Sequence, residues 1–169
     1  MNFEFERDLE VMKLNVIYTV YLTKKILLDM VRRNNGKILF NSSIAAEMPS
    51  PFNAVYGATK SFIQSFALAI RQEMKETNKN ITITALQPGP TDTNFFERAG
   101  MQDTVVDHQK KDDPAEVAQD GYDALMEGKD HVIAGSLKNK ILAGSARFMT
   151  DEQRAKVHGY LNKPDEQRQ

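Results

Sequence analysis

The sequence predicts an α/β protein built on a small parallel sheet with helices on its faces. Three observations lead there. Short apolar runs at 38–40, 81–86 and 131–135 read as strands, each bounded by turn or polar residues. The first of them, 38–40, is apolar throughout, which suits a parallel strand covered on both faces. Before and between them lie spans of helical apolar spacing at 8–33, 55–77 and 114–126.

Composition narrows the function. The 169 residues fall within the size of one domain, and 41% hydrophobic with 27% charged residues is ordinary for a globular chain. A formal net charge of −1 predicts neither a nucleic-acid partner nor an anionic membrane. The absence of cysteine removes disulfides, thiolate nucleophiles and cysteine metal sites, and is compatible with a reducing compartment. The first residues, MNFEFERDLE, lack the basic start and apolar run of a signal peptide. The most apolar segment, 16–31, is interrupted by Lys24, Lys25 and Asp29, which makes it too short and too charged for a membrane span. A cytosolic protein is expected.

Taken in order, the first helix is expected over 8–33, with Asp8 as its cap and Arg32, Arg33 and the turn Asn34-Asn35-Gly36 at its end. Its apolar residues, among them Val11, Leu14, Ile17, Tyr21 and Leu28, cover more than one stripe, so burial on two sides is expected. The first strand runs into Asn41-Ser42-Ser43, and Pro49 and Pro51 forbid a helix through the following loop. The second helix carries Ala58, Phe62, Phe66, Ile70 and Met74 at helical spacing, a core or helix–helix face. The second strand is rich in β-branched residues and stops at Pro88-Gly89. Residues 94–113 show no apolar periodicity. The third helix has Pro114 in its first turn and Gly128 just past its end. Two small helices are expected after Ser136, and the last residues, NKPDEQRQ, are expected to be disordered. The expected division is a sheet-bearing domain over 1–150 and a C-terminal helix with its tail over 151–169.

The chemistry gathers at one edge. Ligands of open α/β sheets bind beyond the carboxyl ends of the strands, which places Ser43 on the functional edge. Tyr56 and Lys60 stand four apart, on one face of a helix. A free phenol ionises near pH ~10 and is by itself a poor proton donor or acceptor at neutral pH. An ammonium held close favours the phenolate, and a serine hydroxyl can hold the substrate oxygen. Together these groups suit interconversion of a carbonyl and an alcohol. The histidines at 108, 131 and 158 have no metal-ligand spacing and are expected at the surface or in turns. Asp112-Asp113 read as a solvated loop, and no metal site is expected.

Asn41-Ser42-Ser43, Tyr56-Gly57-Ala58-Thr59-Lys60 and Pro88-Gly89-Pro90-Thr91-Asp92-Thr93, in that order and spacing, resemble the motifs of the short-chain dehydrogenase/reductase family. The resemblance covers residues 8–135. It implies the C-terminal part of a Rossmann-like doubly wound parallel sheet, and an oxidoreductase using NAD or NADP on a small carbonyl or alcohol substrate. It makes Tyr56 the acid/base, has Lys60 lower the phenol's pKa and hold the nicotinamide ribose, and gives Ser43 the substrate oxygen. Asn15 matches the family's helix asparagine, which holds a water linking the lysine to solvent. Pro88 and Gly89 are implied to lie against the nicotinamide and Thr93 to contact the cofactor, with Thr91 in the same neighbourhood. The family also pairs subunits through the helices at 8–33 and 55–77, which implies a homo-oligomer, and carries its substrate loop at 94–113.

A dinucleotide site needs a Gly-rich strand-to-helix turn whose backbone amides hold the pyrophosphate. The family's T-G-x-x-x-G-x-G turn and its Asn-Ala-Gly segment are not in this sequence. An incomplete chain, inactive alone and with an uncovered sheet edge, is therefore expected. The sequence does not choose between NAD and NADP. The alternative from another class is a non-catalytic protein that uses its helical surface for dimerisation or partner binding.

Overall fold

A computed structural model describes residues 5–146 and 148–164. Its N-terminal helical span is continuous, in three pieces: α1 (Phe5–Met12), a π-helical stretch over Lys13–Tyr18, and α2 (Thr19–Arg33). The span begins ahead of Asp8, so that residue lies in the first turn rather than at the cap. It ends at Asn34, whose left-handed φ of 50° brings the Asn35 amide back onto the Met30 carbonyl at 3.1 Å.

Only one side of this span is covered. Thr23 is buried, and Leu27, Met30 and Val31 pack on the core. Leu14, Ile17, Tyr18, Tyr21, Leu22 and Leu28 are each more than half exposed. Of the two sides expected to be buried, one is covered within the chain, and the second apolar stripe is open on its surface.

The sheet holds β1 (Gly36–Asn41), β2 (Ile81–Gln87) and β3 (His131–Ile133) in that spatial order, all parallel. Asn41 sits opposite Leu86, and Gln87 opposite Ile133, so the three carboxyl ends form one edge. Among the described residues β1 pairs on one side only. The helix α3 (Ala54–Glu76) covers one face, burying Ile63, Ala67, Ile70 and Met74 against Ile38, Phe40, Ile81, Ile83 and Ala85. Ala58 does not join this stripe and is exposed, because the buried stripe of the first turns runs through Gly57, Thr59 and Lys60. Ile83, 1% exposed at the centre of β2, is the residue whose truncation to Ala removes most packing, at a cost of about 2–5 kcal/mol.

The helix α5 (Pro114–Met126) covers the opposite face, with Val117 packed beside Leu86, Leu39, Val132 and Ala134. Asp113 caps it by accepting from the amides of Ala115 and Glu116, and Pro114 fills the first position, where no N–H is needed. Asp112 is no solvated loop residue. Its carboxylate accepts from the Ser136 amide at 3.2 Å and from Asn139 at 2.6 Å, and its backbone bridges Thr91.

The irregular stretch before α5 contains α4 (Phe95–Arg98), anchored by Phe96 at 5% exposure. Beyond β3 come the two expected helices, α6 (Leu137–Ala146) and α7 (Asp151–Asn162). Thr150 and Gln153 close α7 with a reciprocal capping box. Asn162 is buried and Pro164 bridges Thr104, so this part of the tail is held in place. Residues 165–169 lie outside the described residues. His158 also departs from expectation: it is 8% exposed, packed under α7 rather than on the surface. Among the described residues no helix is long and apolar enough to cross a membrane.

Candidate active site

Ser43 owes its position to backbone pairing that continues past the end of β1. The Ser42 amide donates to the Leu86 carbonyl at 2.8 Å and the Ile44 amide to Pro88 at 3.1 Å, tying this turn to the Pro88-Gly89 turn. Ser42 is buried and its hydroxyl donates to the Lys60 carbonyl, which fixes the strand end to α3. Ser43 then caps a short 3-10 turn, Ile44–Glu47, its oxygen accepting from the Ala45 amide at 3.1 Å. The same hydroxyl lies 3.5 Å from the Pro88 carbonyl.

Tyr56 and Lys60 stand on the first two turns of α3. Between them Gly57 lets the helix approach the preceding loop closely, since a Cβ there would run into the Ser50 side chain. Lys60 is 8% exposed, and its ammonium donates to the Asn41 carbonyl at 2.8 Å. It lies 5.6 Å from the centre of the Tyr56 ring. The ring of Phe95 packs on Tyr56 at 5.2 Å between centroids.

Burial governs the electrostatics of both groups. It raises the Tyr56 phenol above its ordinary value, and a hydrogen bond with the Ser43 side chain pulls only part of the way back. It lowers Lys60 to about 8, because a desolvated ammonium has lost its hydration. The expected lowering of the phenol by Lys60 is therefore not what this arrangement carries: the ammonium is engaged by Asn41, and desolvation dominates at Tyr56.

Asn15 comes from the π-helical stretch of the N-terminal span, the kind of local widening often found at functional sites. Its amide donates to the Thr59 hydroxyl at 2.9 Å, and that hydroxyl donates to the Tyr56 carbonyl at 2.8 Å. Asn15 thus reaches the Tyr56–Lys60 turn through Thr59. On the turn after β2, the Thr91 hydroxyl donates to the Gly89 carbonyl at 2.9 Å. Gly89 lies so close to Asn139 that a Cβ there would clash. Thr93 is exposed and accepts from the Phe95 amide at 3.3 Å, at the start of α4. Ser43, Tyr56, Lys60 and Pro88 are brought together, Asn15 stands behind them, and Thr93 sits at the rim.

Sequence reasoning missed several neighbours. Thr59 lay inside the Tyr-Lys motif itself, and Phe95-Phe96 were an apolar pair in an otherwise polar stretch, a signal that could have been read. Gln87, 0% exposed, donates to the Glu47 carboxylate at 2.6 Å, and Asn139 joins Asp112. Neither pair leaves a pattern in the sequence. A cleft of about 500 Å³ opens between Glu47, Pro49, Ala58 and Arg154, but none of Ser43, Tyr56 and Lys60 lines it.

A family model described as short chain dehydrogenase matches residues 2–104. The mouse protein Dehydrogenase/reductase SDR family member 7B is 36% identical over 132 residues, covering 75% of this chain and 40% of that protein. NADP-dependent 3-hydroxy acid dehydrogenase YdfG of Escherichia coli (strain K12) is 39% identical over 70 residues, 41% of this chain and 27% of that protein. The chain thus spans less than half the length of these curated relatives. Among solved structures, a short chain dehydrogenase from Burkholderia cenocepacia in complex with NADP has a TM-score of 0.72 at 23% identity, covering 94% of this chain and 62% of that one. That likeness is one of fold. With most of its length matched by the family model, this chain belongs to the short chain dehydrogenase family.

Proposed function

We propose that this chain carries the proton-transfer side of an oxidoreductase that interconverts a carbonyl and an alcohol on a small molecule with NAD or NADP. The observation that carries this reading is the convergence of Ser43, Tyr56 and Lys60 at the carboxyl edge of the sheet.

The residues present fit the nicotinamide–ribose end of such a cofactor. An ammonium has three donors, and the Lys60 hydrogen bond to Asn41 uses one, leaving two for a ribose diol beside Tyr56. Tyr56, Lys60 and the turn Pro88, Gly89 and Thr91 would hold that end, with Thr93 at the rim. The chain offers no Gly-rich turn for the pyrophosphate. When bound, the cofactor supplies or accepts the hydride. In the reducing direction the Tyr56 phenol, kept neutral by burial, gives its proton to the substrate oxygen. Ser43 hydrogen-bonds the same oxygen and holds it in reach. Lys60, still protonated at neutral pH, keeps its remaining donors for the ribose, and the Ser43 hydroxyl is the group beside the phenolate left behind. Asn15 supports this relay through Thr59.

The test is direct titration with NADH and NADPH, followed by turnover of a ketone panel by the wild type and Tyr56→Phe. Cofactor binding with Tyr56-dependent turnover is expected; turnover without Tyr56 would sink the reading.

We place a second copy of the chain against the N-terminal span and α3, because Ile17, Tyr18, Tyr21 and Leu22 line an apolar groove of about 340 Å³. Sedimentation of a monomer at micromolar concentration would contradict this. The same groove favours the second reading, a non-catalytic dimerisation or partner-binding module. Failure to bind either nucleotide would put that reading first. A cytosolic setting is part of the proposal, and recovery with membranes on fractionation would argue against it.

A further inference from the structure

We propose that α7 is a clasp that sets the position of the loop joining Ser43 to Tyr56, acting through Arg154, His158 and Asn162. These three residues stand four apart on one face of the helix. Arg154 donates to the Glu47 carbonyl at 3.1 Å, His158 Nδ1 lies 3.0 Å from the Pro49 carbonyl, and Asn162 donates to the Pro51 carbonyl at 3.3 Å. Every second carbonyl of the loop is taken in turn.

The register has a geometric cause. Four residues of α-helix rise about 6 Å, and two residues of extended chain advance about 6.6 Å. A helix face therefore keeps step with alternate carbonyls of an extended segment over three contacts. The segment is extended at Met48, with φ −143° and ψ 148°, and the side chains of Met48 and Ser50 point inward, 5% and 7% exposed. Residues 49 and 51 are prolines and have no N–H, so this stretch cannot build a ladder of its own. Its carbonyls are left for side chains to satisfy.

The buried face of α7 consists of His158, Gly159 and Asn162, with no apolar side chain among them. Ala155, Val157 and Leu161 are only half-buried, so the fully buried contacts of this helix are hydrogen bonds and a glycine. A Cβ at Gly159 would stand 3.2 Å from the Pro51 ring, so the helix backbone packs closely on that ring. The C-terminal end is pinned as well, the Leu161 carbonyl accepting from Val106 at 3.0 Å.

The clasp reaches the site through Ser50. Its hydroxyl lies 3.1 Å from His158 Nδ1, and its side chain fills the space over Gly57, the residue next to Tyr56. The other end of the clasped loop is the 3-10 turn capped by Ser43. Arg154, His158 and Asn162 are thus positioning residues for two groups that they do not touch. That Ser43 and Tyr56 act on a substrate rests on the oxidoreductase reading above; the docking of α7 does not.

The test is amide hydrogen exchange, by mass spectrometry, on the full chain carrying Arg154→Met or Asn162→Asp, with His158→Ala as the severe variant. Losing one such hydrogen bond should speed exchange over residues 44–58 about fivefold, with β1 and β2 unchanged. In turnover the same variants should lower kcat for the carbonyl while leaving the cofactor KM where it was. Unchanged exchange over 44–58 in both Arg154→Met and Asn162→Asp overturns the proposal. A rise shared equally by β1 and β2 overturns it too, since α7 would then be a general support of the fold. A wild type without turnover counts against the oxidoreductase reading, and the exchange result still decides the clasp.

Discussion

The Lys60 ammonium is tied to the Asn41 carbonyl at 2.8 Å while it lies 5.6 Å from the centre of the Tyr56 ring. One buried cation thus joins the last residue of β1 to the first turns of α3. Burial lowers its pKa to about 8, from an ordinary 10.5. Between those values the folded state binds fewer protons than the unfolded one, so stability rises with pH across that window. The gain is complete above about 10.5 and lost as pH falls through about 8. Urea midpoints measured across that range should rise for the wild type, by an amount on the order of 1–3 kcal/mol. Lys60→Met should show no such slope.

Ser43 has a structural and a chemical task. Ser43→Ala removes the cap on the Ala45 amide and should cost about 1 kcal/mol in thermal or urea unfolding. It should also lower kcat by about tenfold or more, through loss of the hydrogen bond to the substrate oxygen. Ser43→Thr keeps the hydroxyl, and recovery of turnover by that variant would separate the two tasks.

Asn15 and Thr59 are joined by a 2.9 Å hydrogen bond between the N-terminal span and α3. A double-mutant cycle of Asn15→Ala and Thr59→Val should give a coupling of about 1 kcal/mol in unfolding free energy. Zero coupling would mean that the bond does not form in solution.

Burial lowers the pKa of His158, so its neutral form is the one that docks. The other ionisable groups on the packed elements are Arg154 and Asp151 of α7, which pair with each other, Glu152 and Lys156, which do the same on its exposed side, the exposed Tyr160, and Glu47, whose carboxylate is held by Gln87. The folded pKa lies below the ordinary 6.5. Docking of α7 should therefore be intact above that value and weaken as pH falls through the folded pKa. The Val106 amide, bonded to the Leu161 carbonyl, reports this. After correction for intrinsic rates it should lose protection as pH falls below 6.5 and through the lowered folded pKa, and His158→Gln should lose the pH dependence.

The strands and the Tyr56–Lys60 helix were legible because their signals are local. Ile38–Phe40 is bounded by polar turns, and YGATK opens a helix that does run over Ala54–Glu76. The Asp113-Pro114 start of α5 was equally plain. What could not be read depends on distant pairings. His158 meets Pro49 across more than a hundred residues of chain, and Asp112 meets Asn139 across α5 and β3. No spacing rule links such residues. The phenol's pKa is hidden from the sequence for a similar reason. The effect of Lys60 on Tyr56 depends on where the ammonium points and how much water both have lost, and only packing fixes those.

The most direct test of the central claim is nicotinamide-dependent turnover by the protein purified from its native source, wild type against Tyr56→Phe. The account predicts reduction of a small carbonyl substrate by the wild type. In the variant, loss of a general acid should cut this by about 10²–10⁴-fold with thermal stability retained. Turnover by Tyr56→Phe at the wild-type rate would contradict it.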